Sequence, residues 1–116
     1  MKSVTKYSDN TGGGNNTASY VTSTTDYLFE LAEFEYHGAR TYANSAEQNY
    51  QQQYAYYQAG NSKIHYKHNA TGTAACVWCR SVNAGNTYYF CLVNTSGGAS
   101  DTNADHSWGV APGFVA

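Results

Sequence analysis

The chain has 116 residues, only 12% of them charged, and a formal net charge of −2, a length suited to one domain that buries about 65% of its unfolded surface. Its six Lys and Arg are scattered, which excludes the basic footprint of a nucleic-acid binder. No run approaches the ~18 apolar residues of a membrane span, and the start Met1-Lys2-Ser3-Val4-Thr5-Lys6 lacks an apolar leader, so no membrane insertion is expected.

Residues 2–8 alternate as a strand does, and residues 9–16 follow as a flexible polar loop. Residues 20–25 are β-prone, and residues 27–32 form the most apolar run of the first half and feed the core. Glu33-Phe34-Glu35-Tyr36-His37 alternates acidic with aromatic and stops at Gly38; a strand and a short irregular helix fit it equally. Tyr50, Tyr54 and Tyr57 fall at i, i+4 and i+7, which predicts the main helix over about 46–59. Asn44 with Glu47, or Ser45 with Gln48, supplies a capping box, and Gly60-Asn61 a left-handed stop. The Tyr stripe reads as core packing ahead of a ligand platform, because each ring buries while its hydroxyl reaches water.

Residues 63–67 read as a strand, 68–73 as a turn-rich link and 75–82 as a strand carrying Trp78. Residues 88–93 are apolar on both faces and therefore central. Asn94-Thr95-Ser96-Gly97-Gly98 has hairpin chemistry, and residues 108–115 form the last strand, with Pro112 marking an edge, a bulge or the end of pairing. The sum is a single α+β domain, a mostly antiparallel sheet with one main helix, whose final third is a meander.

Three groups of residues invite a chemical reading. His65-x-x-His68 and Cys76-x-x-Cys79 offer four zinc-type ligands, but x-x spacing inside strands sends paired side chains to opposite faces. Small Cys side chains filling the core and two exposed His are the better reading, so no metal and no cofactor is expected. Glu30, Glu33 and Glu35 cluster, and paired carboxylates serve glycoside hydrolysis; a hydrogen-bonded structural set is the simpler account. Arg80, between a strand Trp and Ser81, suits crosslinking of backbone carbonyls rather than substrate binding. Gly12-Gly13-Gly14 lacks the Lys-Ser/Thr of a phosphate loop.

The last third divides into frame and insert. A buried Trp78, Arg80, Gly109, Pro112 and a final aromatic, Phe114, read as stiff frame, while the residues between are mostly Asn, Ser, Thr, Gly, Asp and Tyr. Such residues make binding loops, with Tyr giving contact area at small entropic cost and the others adaptable hydrogen bonds. Candidate ligand contacts are Asn83, Asn86, Tyr88, Asn94, Asp101, Asn103, Asp105, His106 and Trp108. Asp101 and Asp105 alone are too few for a calcium site.

Tyr27-Leu28-Phe29-Glu30-Leu31-Ala32-Glu33-Phe34-Glu35 with Gly38, then Tyr56-Tyr57-Gln58-Ala59-Gly60-Asn61-Ser62-Lys63, Trp78-Cys79-Arg80-Ser81 and the stretch from Gly109 to Phe114 resemble, in order and spacing, an uncharacterised domain of phage and prophage proteins from gut Firmicutes. The bracket pattern is also similar to C-type-lectin-like folds, including formylglycine-generating-enzyme relatives and the variable proteins diversified by retroelements. The resemblance implies a C-terminal position in a longer chain and a virion (phage tail) or bacterial cell-surface location. It implies a non-enzymatic domain that binds a host cell-surface protein or glycan, with homo-oligomerisation compatible. A structural domain of virion assembly and a cell-wall glycan hydrolase are the alternatives. Cys79 stands where the related pattern has Leu, which favours the core-filler reading; the catalytic Cys pair of the formylglycine-generating enzymes has no counterpart here.

Overall fold

The structure, a computed structural model, describes residues 1–10 and 15–116; the Gly12-Gly13-Gly14 segment and the centre of the expected 9–16 loop lie outside the described residues. The first strand, β1 (Val4–Asp9), pairs antiparallel with β2 (Val21–Asp26) in an unbroken register from Val4 opposite Asp26 to Asp9 opposite Val21. The Thr-rich middle of β2 is exposed, as suits a two-stranded ribbon with one wet face. The short β3 (Phe29–Glu30) then leads into the helix α1 (Glu33–His37).

Of the two readings of residues 33–37, the helix forms, and its ends explain why. The Glu35 carboxylate reaches back to accept the Ala32 N–H at 2.9 Å, satisfying one of the donors that a helix start leaves bare. At the other end Gly38, at φ +67°, donates to the Phe34 carbonyl at 2.8 Å, a left-handed stop that glycine adopts without strain.

The expected helix over 46–59 does not form as one element. Ser45–Asn49 make a 3-10 turn, residues 51–53 are in no regular element, and a single helical turn, α2 (Ala55–Gln58), follows. The spacing of the three Tyr is helical, but the intervening groups are engaged elsewhere. Gln51 Nε2 donates to the Tyr7 carbonyl at 2.8 Å, Gln53 Nε2 to the Tyr36 carbonyl at 3.0 Å, and the Tyr54 N–H to the Glu35 carbonyl at 3.0 Å. Tertiary bonds thus replace the helical ladder, propensity being the weaker influence. Tyr54 and Tyr57 pack against the core, whereas Tyr50 is exposed and stacks on Tyr7 at 4.5 Å. Asn44 does cap the 3-10 turn, its Oδ1 accepting the Ala46 N–H, but Glu47 does not close the capping box because its carboxylate turns inward.

A hairpin follows, β4 (His65–Lys67) with β5 (Ala70–Ala75), so the expected 68–73 link is only a tight turn and most of it is strand. The meander of the final third is present: β6 (Val77–Val82), β7 (Tyr89–Val93) and β8 (Ala99–Asn103) form a three-stranded antiparallel sheet with β7 central. The pairing of β6 with β7 shifts between Trp78 and Val82, an irregularity of the bulge kind in the stretch that carries Arg80. Gly97, at φ +81°, closes the β7–β8 hairpin. β8 occupies residues between the expected hairpin turn and the expected last strand, to which the sequence pattern assigns no element. The expected last strand over 108–115 shrinks to β9 (Pro112–Gly113), paired with β3, flanked by bridges of Gly109 to Val77 and of Val115 to Lys2. Pro112 thus sits where a missing N–H is tolerated, at a short strand's edge.

The core gathers Phe29, Leu31 and Tyr36 with Val77, Cys79, Cys91 and Val93. Gly109 and Gly113 let the terminal segment lie close on it: a Cβ at Gly109 would stand 3.1 Å from Val77 Cγ1 and 3.2 Å from the Cys76 carbonyl, and one at Gly113 3.1 Å from the Phe29 ring. Two frame expectations are corrected. Trp78 is only half-buried, because it lies on the sheet face away from the core, and Phe114 is 61% exposed, because the chain leaves the sheet after Gly113. The molecule is a small domain of mostly antiparallel β-structure with few helical turns.

Candidate functional site

Of the three carboxylates that suggested chemistry, the fold buries Glu33 and Glu35 and leaves Glu30 half-open, and it buries Glu47 beside them. Glu33 is 1% exposed, and its carboxylate accepts the successive N–H groups of Thr41, Tyr42 and Ala43 at 2.6–3.2 Å. Glu35 accepts the Ala32 N–H and pairs with Arg80 at 3.0 Å and Lys6 at 3.3 Å. Glu47 accepts from the Asp9 N–H, the Ser81 hydroxyl and Gln51; burial still pushes its carboxyl above the ordinary range, with those bonds and Arg80 opposing. All three act as internal acceptors for buried donors, Glu33 holding the 41–43 segment, Glu35 the start of α1 and Glu47 the end of β1.

Arg80 is the centre of this network. Its Nε and Nη2 donate to the Tyr7 carbonyl, both at 3.2 Å, and its Nη1 to the Glu30 carbonyl at 2.6 Å. One planar fork therefore ties β1, β3 and α1 to β6.

Glu30 differs from the other three. Its carboxylate accepts no hydrogen bond among the described residues, is half-buried, and has its pKa raised by desolvation against the lowering effect of Arg80. It opens onto a cleft of about 350 Å³ with Trp78, Arg80, Phe90 and Ala104, where Trp78 and Phe90 meet edge to face at 6.2 Å. Phe90 and Ala104 also wall a second hollow of about 480 Å³, lined by Thr87, Tyr88, Asn103 and Asp105. The two make one groove across the outer face of the meander sheet, with the 75%-exposed Tyr88 at its far end. Trp78 and Phe90 face outward because β6 and β7 send alternate side chains to the core, Cys79 and Cys91 filling it instead.

The structure spreads the nine candidate contacts over several places. Tyr88, Asn103 and Asp105 line the groove. Asn83 is 8% exposed, donates through Nδ2 to Asp101 and accepts the Gly85 N–H. Asn86 accepts the Tyr88 N–H, and Asn94 accepts those of Ser96 and Gly98. These three Asn shape turns, a use of the short amide that composition cannot separate from ligand binding. His106 stacks on Trp108 at 5.2 Å and 2°, and Trp108 lines another cleft, about 600 Å³, between the β4–β5 hairpin and the terminal segment.

That last cleft brings together His65, His68 and Cys76 but not Cys79, which is 2% exposed in the core. Burial lowers the His65 pKa, and no group of three or more metal-ligating side chains converges among the described residues. Burial pushes the Cys79 and Cys91 thiols far up, as expected of core fillers. Glu30 and Phe90 were not among the candidate contacts; the signal that could have found Phe90 is its i+2 spacing from Leu92 and offset from Cys91 and Val93, which fill the core in β7.

No helix among the described residues is long and apolar enough to cross a membrane. Neither the curated proteins nor the solved structures contain a match to this chain. A family model, Domain of unknown function (DUF6273), matches residues 1–115. The chain therefore belongs to the DUF6273 family.

Proposed function

We propose that this is a non-catalytic ligand-binding domain of a phage tail or prophage-encoded surface protein, with a C-type-lectin-like fold, that takes a host cell-surface protein or glycan in the groove from Glu30 to Asp105. The observation that carries the reading is the groove itself: aromatic walls at Trp78, Phe90 and Tyr88, with Asn103 and Asp105 at the rim, on a sheet whose other face is core. Aromatic anchors ringed by polar groups are the usual composition of a binding hot spot. The phage setting and the lectin-like comparison rest on the sequence resemblance.

The hydrolase alternative through Glu30, Glu33 and Glu35 is less well supported, since it needs two carboxylates free to exchange protons. Glu33 and Glu35 are occupied by backbone N–H groups and cations. The test is binding of the labelled domain to bacterial cells. The double substitution Tyr88→Ala with Asp105→Ala is expected to abolish binding and leave Tm nearly unchanged, both side chains being exposed. A large fall in Tm would make these residues structural, and an oligomer that covers the groove would favour the assembly role.

A further inference from the structure

We infer that the groove takes a neutral oligosaccharide, one pyranose ring against Trp78 and Phe90 and the next against Tyr88; this rests on the ligand-binding reading above. Charge narrows the ligand class. Glu30 presents a half-buried carboxylate with no hydrogen-bond donor among the described residues, which repels anions, and Arg80 stands in the same cleft, which repels cations. Of the five N–H groups of the guanidinium, those on Nε and Nη2 meet Tyr7 and Glu35 and one on Nη1 meets Glu30, so one Nη1 hydrogen has no partner among the described residues.

The cleft therefore offers an acceptor, a donor and an aromatic wall side by side. A hydroxyl donates to a carboxylate and accepts from a guanidinium at once, and adjacent hydroxyls on a ring serve both. The apolar face of the ring, its C–H groups, covers the aromatic wall, where burial contributes without needing a charge. An alkyl ligand would strip water from Glu30 without replacing it, which is unfavourable. The hollow beyond Phe90 repeats the pattern with Tyr88 as the wall and Asn103 and Asp105 as polar groups, so two joined rings match two joined hollows.

The test is calorimetric titration of the domain with cellobiose, maltose, lactose and N,N′-diacetylchitobiose at millimolar concentrations. At least one is expected to bind. Glu30→Gln, which removes no hydrogen bond among the described residues, and Tyr88→Ala are each expected to weaken it by about tenfold or more, while Tyr50→Ala, outside the groove, leaves it unchanged. The inference is overturned if none of the four binds, or if binding survives both groove substitutions. Failure of the wider reading looks different. Cell binding that Tyr88→Ala abolishes and no disaccharide competes would keep a ligand-binding groove and remove the sugar; absence of cell binding together with absence of sugar binding would remove both.

Discussion

Replacing Arg80 with Met keeps most of the side-chain volume and deletes the fork. Three acceptors each lose a partner: the carbonyls of Tyr7 and Glu30 and the carboxylate of Glu35. Tyr7 O keeps Gln51, and Glu35 keeps Lys6 and the Ala32 N–H, so the losses do not simply add. The Arg80 side chain is 12% exposed and that of Glu35 4%, which puts the pair among buried ones, where removing one partner destabilises by about 3–5 kcal/mol. A domain of this size has a total stability of roughly 6–17 kcal/mol. The expected outcome is therefore a protein that still folds in the cold but melts about 12–20 °C lower. Urea unfolding followed by far-UV circular dichroism measures it, with an unchanged m-value showing that the folded state stays as compact. Arg80→Lys, which restores charge but not the planar fork, is expected to recover less than half of the loss. A fall under about 1 kcal/mol in Arg80→Met, the range of an exposed pair, would refute the assignment of Arg80 as the tie between β1, β3 and β6.

Glu47 has a folded-state pKa raised above its ordinary value by burial, so the folded protein takes up its proton first and this group's contribution to stability falls as pH rises through the window above about 4.5. Relative to Glu47→Gln, the wild type is expected to gain stability as pH drops from 7 toward 4.5; a difference independent of pH would contradict the burial argument. Gly109→Ala is expected to destabilise by about 1–3 kcal/mol, because the new methyl meets Val77 and the Cys76 backbone at 3.1–3.2 Å; chemical denaturation at neutral pH measures it. Of the three thiols only Cys76 is partly exposed, so a disulfide-exchange reagent is expected to titrate one thiol in the native protein and all three in denaturant.

Much of the scaffold was legible in local pattern. The strands around Lys6, Trp78 and Cys91 follow their alternation or apolar runs, the Asn94 hairpin follows its turn residues, and Arg80 between Cys79 and Ser81 was readable as a backbone crosslink. The helix over 46–59 was not, because Tyr50, Tyr54 and Tyr57 have helical spacing while Gln51 and Gln53 bond to Tyr7 and Tyr36, partners distant in the chain. β8 escaped notice because Ala99–Asn103 carries no strand-forming apolar residue and is held by its register against β7. In the groove, Tyr88, Asn103 and Asp105 were legible as polar and aromatic surface. Glu30 was not separable from Glu33 and Glu35 by type; only the backbone N–H groups that claim the latter two distinguish them.

The bridge between Lys2 and Val115, with the Lys2 N–H donating to the Val115 carbonyl at 2.6 Å, sets the two ends of the chain side by side. A domain with adjacent ends tolerates rearrangement of chain order: a short linker joining 116 to 1 and a new opening at the exposed His68-Asn69 turn would preserve every sheet. The same adjacency lets the fold be spliced into a surface loop of another protein without separating the strands that flank the insertion. Pulled apart at its ends, it would open at that bridge first, before the Arg80 network bore any load.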